Sequence, residues 1–244
     1  MAKSNNKPNN KIKNPNASGN GGRVAIVVLL LAAVALIAGL VIWQVNDSKP
    51  EVTELNAEAT YSDGVVTLGD TNAGDDVPVI ELYEDYSCPH CGDLAVASDE
   101  RLHDELVDGK IVVNVRSMNF LDRGEEGHST MSLAALTALA ERGEFDAWWN
   151  LRDALMRQQY KIRGNWDNND FADAAQEAGA SDDAVQDIRD GKYLEEANEI
   201  GSANLADQES RAGGDAYTPR VFEGNQEVEI NEISTAWIDE VVNN

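Results

Sequence analysis

Apolar and polar positions divide the chain into stretches of different character. Residues 1–23 hold almost nothing to bury. They are mainly Asn, Pro, Gly and Ser with scattered basic side chains, and are predicted to be a disordered tail. Val24 to Trp43 then run for 20 residues without a charged or strongly polar side chain. As a helix, this run spans about 30 Å, the thickness of a bilayer's hydrocarbon core. Residues 24–44 are therefore predicted to be a transmembrane helix; a soluble helix fits less well, because no face of the run is polar. Residues 45–64 are polar and acidic, contain one proline and show no clear period, which marks a linker.

From residue 65 onward the periods of secondary structure appear. Val65–Leu68 is a short β-prone run, and Val77–Tyr86 (VPVIELYEDY) reads as a stronger strand. Leu94, Ala97, Leu102 and Leu106 are compatible with one face of a helix over 92–107, which Gly109 ends. Lys110–Arg116 (KIVVNVR) is strand text, rich in β-branched residues. Strand, helix, strand in this order predicts a βαβ unit with a right-handed crossover. A mostly helical stretch follows. It comprises Ser129–Arg142, then Glu144–Gln159 with Phe145, Trp148, Leu151 and Leu155 in phase, and further helices at Asp167–Ala178, Asp182–Arg189 and Leu194–Ala206. Strands return at Arg220–Glu223 and Glu227–Ile230 around a turn at Gly224-Asn225, and Glu232–Val242 closes with a helix. The domain at 65–244 is thus α/β, a sheet interrupted by a helical insertion at about 122–208.

Charge adds a topology. The 244 residues carry 19 basic and 44 acidic side chains, a formal net charge of −25. A balance that acidic excludes nucleic-acid binding by phosphate neutralisation. The sum hides a step: five basic residues and no acid precede the apolar run, and every acid follows it. The positive-inside bias then keeps the N-terminus cytoplasmic and exports everything after residue 44. The prediction is a single-pass protein of the cell membrane with an extracytoplasmic domain. A cleaved signal peptide is the competing reading. Its apolar region is typically about 7–15 residues with a small-x-small site close behind. Here the nearest such site, Ala57-Glu58-Ala59, lies well downstream.

The chain has two cysteines, Cys88 and Cys91, too close together to staple a fold, so they matter as chemistry. Cys88-Pro89-His90-Cys91 sits where a strand turns into a helix. At a helix N-terminus the free N–H groups and the positive dipole end favour an anion, so the Cys88 pKa is expected well below the usual ~8.5. Pro89 suits the first helical turn, and His90 adds a tunable positive charge near the sulfur. Cys91, one turn in, is expected to be more buried and less acidic. Cys88 is then the attacking or attacked sulfur, and Cys91 resolves the mixed disulfide. Stabilising the thiolate makes the disulfide more oxidising, so the pair points to a disulfide donor. Two other readings compete. One is half of a zinc site, for which the chain offers only His90, His103 and His128 as histidine ligands; the other is an inert surface disulfide. His103 and His128 are read as ordinary surface or half-buried side chains. No metal and no cofactor is expected.

The motif in its surroundings resembles the DsbA-like branch of the thioredoxin superfamily. The matching text is VIELYEDYSCPHC at 79–91, KIVVNVR followed by SMNFLD, the Ala/Leu-rich helical stretch, and TPRVF at 218–222. The resemblance implies a thioredoxin-like fold with an inserted helical subdomain. It implies a thiol-disulfide oxidoreductase that introduces disulfides into secreted or surface proteins, and a membrane partner of the DsbB or vitamin-K-epoxide-reductase-like kind that re-oxidises it. Thr218-Pro219 stands at the family's cis-proline position, which faces the sulfurs; a trans proline starting an edge strand is the alternative. Tyr217 and Arg220 stand where the family commonly has Gly and a small residue, and are candidates to line the substrate groove. Arg220 could instead pair with one of the many acids. The superfamily often keeps a buried acid six residues before the first Cys; here that residue is Leu82, with Glu81 and Glu84 around it. Strand alternation puts odd and even positions on opposite faces, which argues against a buried relay carboxylate. The same fold could also serve a reductase or isomerase, or a non-enzymatic, membrane-anchored accessory domain.

Overall fold

In the computed structural model, residues 52–243 are described apart from 75, 231 and 232. The predicted tail, the apolar run and the start of the linker lie outside the described residues. Among the described residues no helix is long and apolar enough to cross a membrane.

The chain enters the sheet through a hairpin of two short strands, β1 (Ala59–Ser62) and β2 (Val65–Leu68), turned at Asp63 and Gly64, which both take positive φ. β3 (Val79–Asp85) leads into helix α1 (Pro89–Val107), and β4 (Val112–Met118) returns parallel to β3. This is the predicted βαβ unit. A short 3-10 turn at Phe120–Asp122 opens the insertion, which holds α2 (His128–Ala140), α3 (Phe145–Ile162), α4 (Asn168–Glu177), α5 (Asp182–Arg189) and α6 (Leu194–Ala212). The chain then adds β5 (Arg220–Glu223), β6 (Gln226–Val228) and α7 (Ala236–Val242). The six strands lie in the order β1-β2-β4-β3-β5-β6, antiparallel except for the central pair.

β3 is central and covered on both faces, so it is buried at nearly every position rather than alternately, its acids Glu81, Glu84 and Asp85 included. Its even positions, Ile80 and Leu82, join the core beneath α1, α3 and α7. On the other face Tyr83 packs with Met118 and Phe222, with Leu205 and Ala212 of α6 against them. α3 docks on the first turn of α1 at Gly92, where a Cβ would come within 2.8 Å of the Met156 carbonyl.

Two expectations are corrected. The stretch assigned to a linker up to residue 64 is partly structured. β1 pairs with β2, and Asn150 of α3 clasps Thr53, accepting its N–H at 3.0 Å and donating to its carbonyl at 2.8 Å. Neither stretch has an apolar period of its own; β1 is ordered by its hairpin partner β2, and Thr53 by Asn150, 97 positions away. On α1, Ala97 is exposed, while Ala95, Ser98 and Asp99 are buried. The buried stripe of α1 includes polar residues that find internal partners, which a purely hydrophobic pattern passes over.

Candidate active site

β3 delivers the cysteine pair. Cys88 is the N-cap of α1 in an extended conformation (φ −84°, ψ 114°), and Pro89 opens the helix, where its fixed φ fits and its missing N–H forfeits no bond. The Cys88 carbonyl accepts from the N–H groups of Cys91 at 3.0 Å and Gly92 at 3.2 Å. The Cys88 thiol donates to the Thr218 carbonyl at 3.3 Å, across 130 positions of sequence, and the Thr218–Pro219 peptide bond is cis. Both thiols are free and buried. Their acidities diverge. The Cys91 thiol, donating to the Cys88 sulfur, pulls the Cys88 pKa down to about 5 against the penalty of burial. The Thr218 side chain and the backbone N–H groups of Cys91 and His90 add to that pull. Burial pushes the Cys91 thiol well up, and its role as donor to Cys88 adds to the rise. The Asp85 N–H donates to the Cys91 sulfur at 3.5 Å. The His90 ring itself is exposed.

Tyr217 and Arg220 flank the cis peptide and have different fates. Arg220 is buried and holds Glu227 through two bonds, of 2.9 and 2.5 Å. Tyr217 lies with its ring over the Arg220 guanidinium, 4.3 Å from carbon to centroid, and its hydroxyl donates to Glu227 at 2.7 Å. Arg220 thus pairs with an acid, and Tyr217, 52 % exposed, is the one of the two that stays open to solvent, next in sequence to Thr218.

Acids and histidines depart from the sequence reading. The alternation that separates Glu81 from Leu82 joins Glu84 to it, and Glu84 is buried beneath α1. Both of its oxygens accept from Arg152, at 2.8 and 2.7 Å, and the third nitrogen of that guanidinium donates to Asp99 at 2.7 Å. Asp85 is fully buried, accepting from the Ser129 hydroxyl at 2.5 Å, the Ser87 N–H at 2.8 Å and the Leu121 N–H at 3.3 Å. Burial raises its pKa to about 7. Arg163, just past α3, donates to the Ser87 carbonyl at 2.8 Å, next to Cys88. His128 is buried beside Phe171 rather than on the surface, and burial lowers its pKa to about 4. His103 is half-buried against Trp149. Among the described residues no group of three or more His, Cys, Asp or Glu side chains is placed to hold a metal.

Comparison with known proteins places this geometry. The thioredoxin family model matches residues 62–232. The MdbA protein of Corynebacterium diphtheriae, a thiol-disulfide oxidoreductase, is 37 % identical, with 79 % of this chain and 96 % of that one aligned at a TM-score of 0.74. The chain belongs to the thioredoxin family. It is a thiol-disulfide oxidoreductase of the DsbA-like type. The MdbA protein of Corynebacterium matruchotii, also a thiol-disulfide oxidoreductase, is 34 % identical over 80 % of this chain and 95 % of its own, with a TM-score of 0.72. The DsbA of Mycobacterium tuberculosis shares the fold, at 22 % identity, 77 % and 94 % coverage and a TM-score of 0.56. No curated protein sequence gives a significant match.

Within this thioredoxin-family site, the sequence singled out the motif, Thr218 and Pro219, and the fold brings them together. It weighed Glu84 and argued against a buried carboxylate there, although Glu84 is buried, and it passed over Asp99, Arg152 and Arg163. One signal was available. Glu84 has the same strand parity as Leu82, so an acid two residues along could take the face that Leu82 occupies. Asp99 and Arg152 carried no signal, because their burial depends on each other.

Proposed function

We propose that this chain is a membrane-anchored bacterial dithiol oxidase that works outside the cytoplasm through Cys88 and Cys91. A thiolate of a reduced secreted or surface protein attacks Cys88 of the oxidised pair, the Cys88–Cys91 bond breaks, and Cys91 departs. The second substrate thiolate then attacks the substrate sulfur bound to Cys88, so that the substrate leaves with its disulfide and Cys88 leaves as a thiolate. The observation that carries this reading is the opposite acidity of the two thiols. A thiolate stable at neutral pH is a good leaving group and makes the reduced enzyme the favoured state, so the disulfide is given away. The exposed Tyr217 ring and the Thr218 carbonyl offer a surface for the incoming peptide. A membrane re-oxidase of the DsbB or vitamin-K-epoxide-reductase-like kind returns the pair to the disulfide. The apolar run at 24–44 and the charge step across it support the anchored, exported topology.

Replacing Cys88 with Ser is expected to abolish oxidative refolding of a reduced client protein; undiminished activity overturns the reading. The potential of the pair separates oxidase from reductase: a value near about −120 mV accords with oxidation, and one near about −270 mV with reduction.

A further inference from the structure

The end of α3 places a cation beside the first cysteine. The Arg163 guanidinium donates at 2.8 Å to the Ser87 carbonyl, the oxygen of the peptide bond that leads into Cys88. Ser87 is itself pinned: Asp85 accepts its N–H at 2.8 Å, and its hydroxyl accepts from Ser129 at 2.8 Å. The Arg163 N–H closes on the Gln159 carbonyl at 3.0 Å, the last bond of the helix, and Gly164 then turns the chain with φ at +75°. The cation is thus fixed at both ends, by its backbone and by its head group. Its side chain is nevertheless exposed, and among the described residues it holds no acid. Arg116, Arg142, Arg152, Arg211 and Arg220, by contrast, each hold a carboxylate. The local sequence agrees. Residues 154–166 contain Arg157, Lys161 and Arg163 and no acid, in a chain with 44 acidic side chains. Arg157 is paired with Asp153, whereas Lys161 is exposed. Tyr160, three positions before Arg163 and so on the same side of α3, is 81 % exposed.

Resting on the dithiol-oxidase reading, we propose that Arg163 is a specificity-determining residue: an exposed cation beside Cys88 that favours attack by substrate cysteines with acidic neighbours. The attacking group is itself an anion. Its thiolate bonds to Cys88, the Cys88–Cys91 bond breaks and Cys91 takes the electron pair, so one negative charge passes along three sulfurs and the balance closes. Two groups outside the motif meet Cys88 and the carbonyl before it. The Cys88 thiol contacts the Thr218 carbonyl, and the Ser87 carbonyl contacts Arg163. A backbone carbonyl recognises an N–H that nearly every residue of a peptide offers, so the Thr218 oxygen carries little preference between sequences. A guanidinium does carry one. Its planar fork of five donors matches a carboxylate, and only part of that fork is occupied by Ser87. Charges more than about 8 Å away are largely screened at physiological ionic strength. The acids elsewhere on the surface therefore do not cancel the local preference that Arg163 sets. The exposed Tyr160 ring adds an apolar surface on the same side of α3 for the flanking part of the peptide.

A guanidinium at a helix C-terminus also steadies the helix, so the test reads a ratio that a structural role leaves unmoved. It uses the oxidised full-length chain and two single-cysteine peptides that differ only in the residues flanking the cysteine, Asp on both sides or Lys on both sides. Mixed-disulfide formation is followed by stopped flow at neutral pH. Rates are expressed per peptide thiolate, because acidic neighbours raise the peptide's own thiol pKa. In about 0.15 M salt the wild type is expected to favour the Asp peptide by about fivefold, the scale of an exposed ion pair. R163Q is expected to bring that ratio close to one, and R163K to restore part of it. Equal rates for the two peptides in the wild type, or an unchanged ratio in R163Q, overturn the proposal. Uniform slowing of both peptides by R163Q with the ratio intact also overturns it, since that outcome reports a purely structural Arg163. A salt series needs only the wild type and holds even if R163Q does not fold: the ratio is expected to vanish near about 1 M salt, and a ratio indifferent to salt overturns the charge preference. A wild-type chain that forms no mixed disulfide with either peptide overturns the functional reading itself, which distinguishes that failure from failure of the preference alone.

Discussion

Cys88 and Cys91 have the same side chain and stand three residues apart, yet their surroundings give them opposite acidities. Cys88 accepts hydrogen bonds from its partner's thiol and from backbone N–H groups at the start of α1, whereas the Cys91 thiol lies one turn inside and is raised chiefly by burial. The Cys88 thiolate is expected to titrate, by its ultraviolet absorbance or by its alkylation rate, with a midpoint near about 5. Because the Cys91 thiol is the largest contributor, C91A is expected to move that midpoint upward; an unmoved midpoint contradicts the assignment. The linkage has a definite sign. The folded pKa lies below the ordinary 9.0, so the thiolate stabilises the reduced fold fully above pH 9, and this contribution is lost as pH falls through about 5. Between those limits the reduced wild type is expected to gain thermal stability over C88S as pH rises. At this scale the motif was legible because four consecutive residues carry it. The buried acids were not, because each needs a partner tens of residues away.

At the scale of elements, the insertion is more than a cover. α3 reaches the motif at Gly92 and sends Arg152 between Glu84 of β3 and Asp99 of α1, so one guanidinium ties three elements together. Removing it leaves two carboxylates buried without a counter-charge. R152M is expected to cost about 3–5 kcal/mol of stability, the scale for breaking a buried ion network from one side, and thermal unfolding at neutral pH checks it. A loss within the range of a surface substitution sinks the view that Arg152 organises this junction. β3 and β4, by their dense strand-forming runs, and α3, by its helical period, were legible along the chain. β1 was not. Its four residues, Ala-Thr-Tyr-Ser, have no apolar alternation worth the name, and they become a strand only because β2 presents an unpaired edge. Even periodicity misled on α1, whose buried stripe contains Ser98, Asp99 and Glu105.

At the scale of the whole molecule, the chain divides at about residue 50, and Pro50–Asn244 is a unit by itself. The proposed anchor lies before that boundary and the redox pair after it. The full chain is therefore expected to sediment with membranes. A version starting at residue 45 is expected to stay soluble while keeping the same thiolate midpoint; a full chain found in the soluble fraction contradicts the anchor. The sequence by itself determined the α/β class, the helical insertion, the Cys-Pro-His-Cys motif at a strand-to-helix turn and the step in charge. These rest on neighbours along the chain, on periods of two and 3.6 residues and on short local motifs. Only the tertiary structure decided that the Thr218 carbonyl faces Cys88, that Arg220 is spent on Glu227 while Tyr217 stays open, and that Glu84, Asp99, Arg152 and Trp237 enclose a space under Cys91. Those relations join positions far apart in sequence. Burial of a charge is tolerable only once its partner is in place, and no local pattern of residues reports that partner.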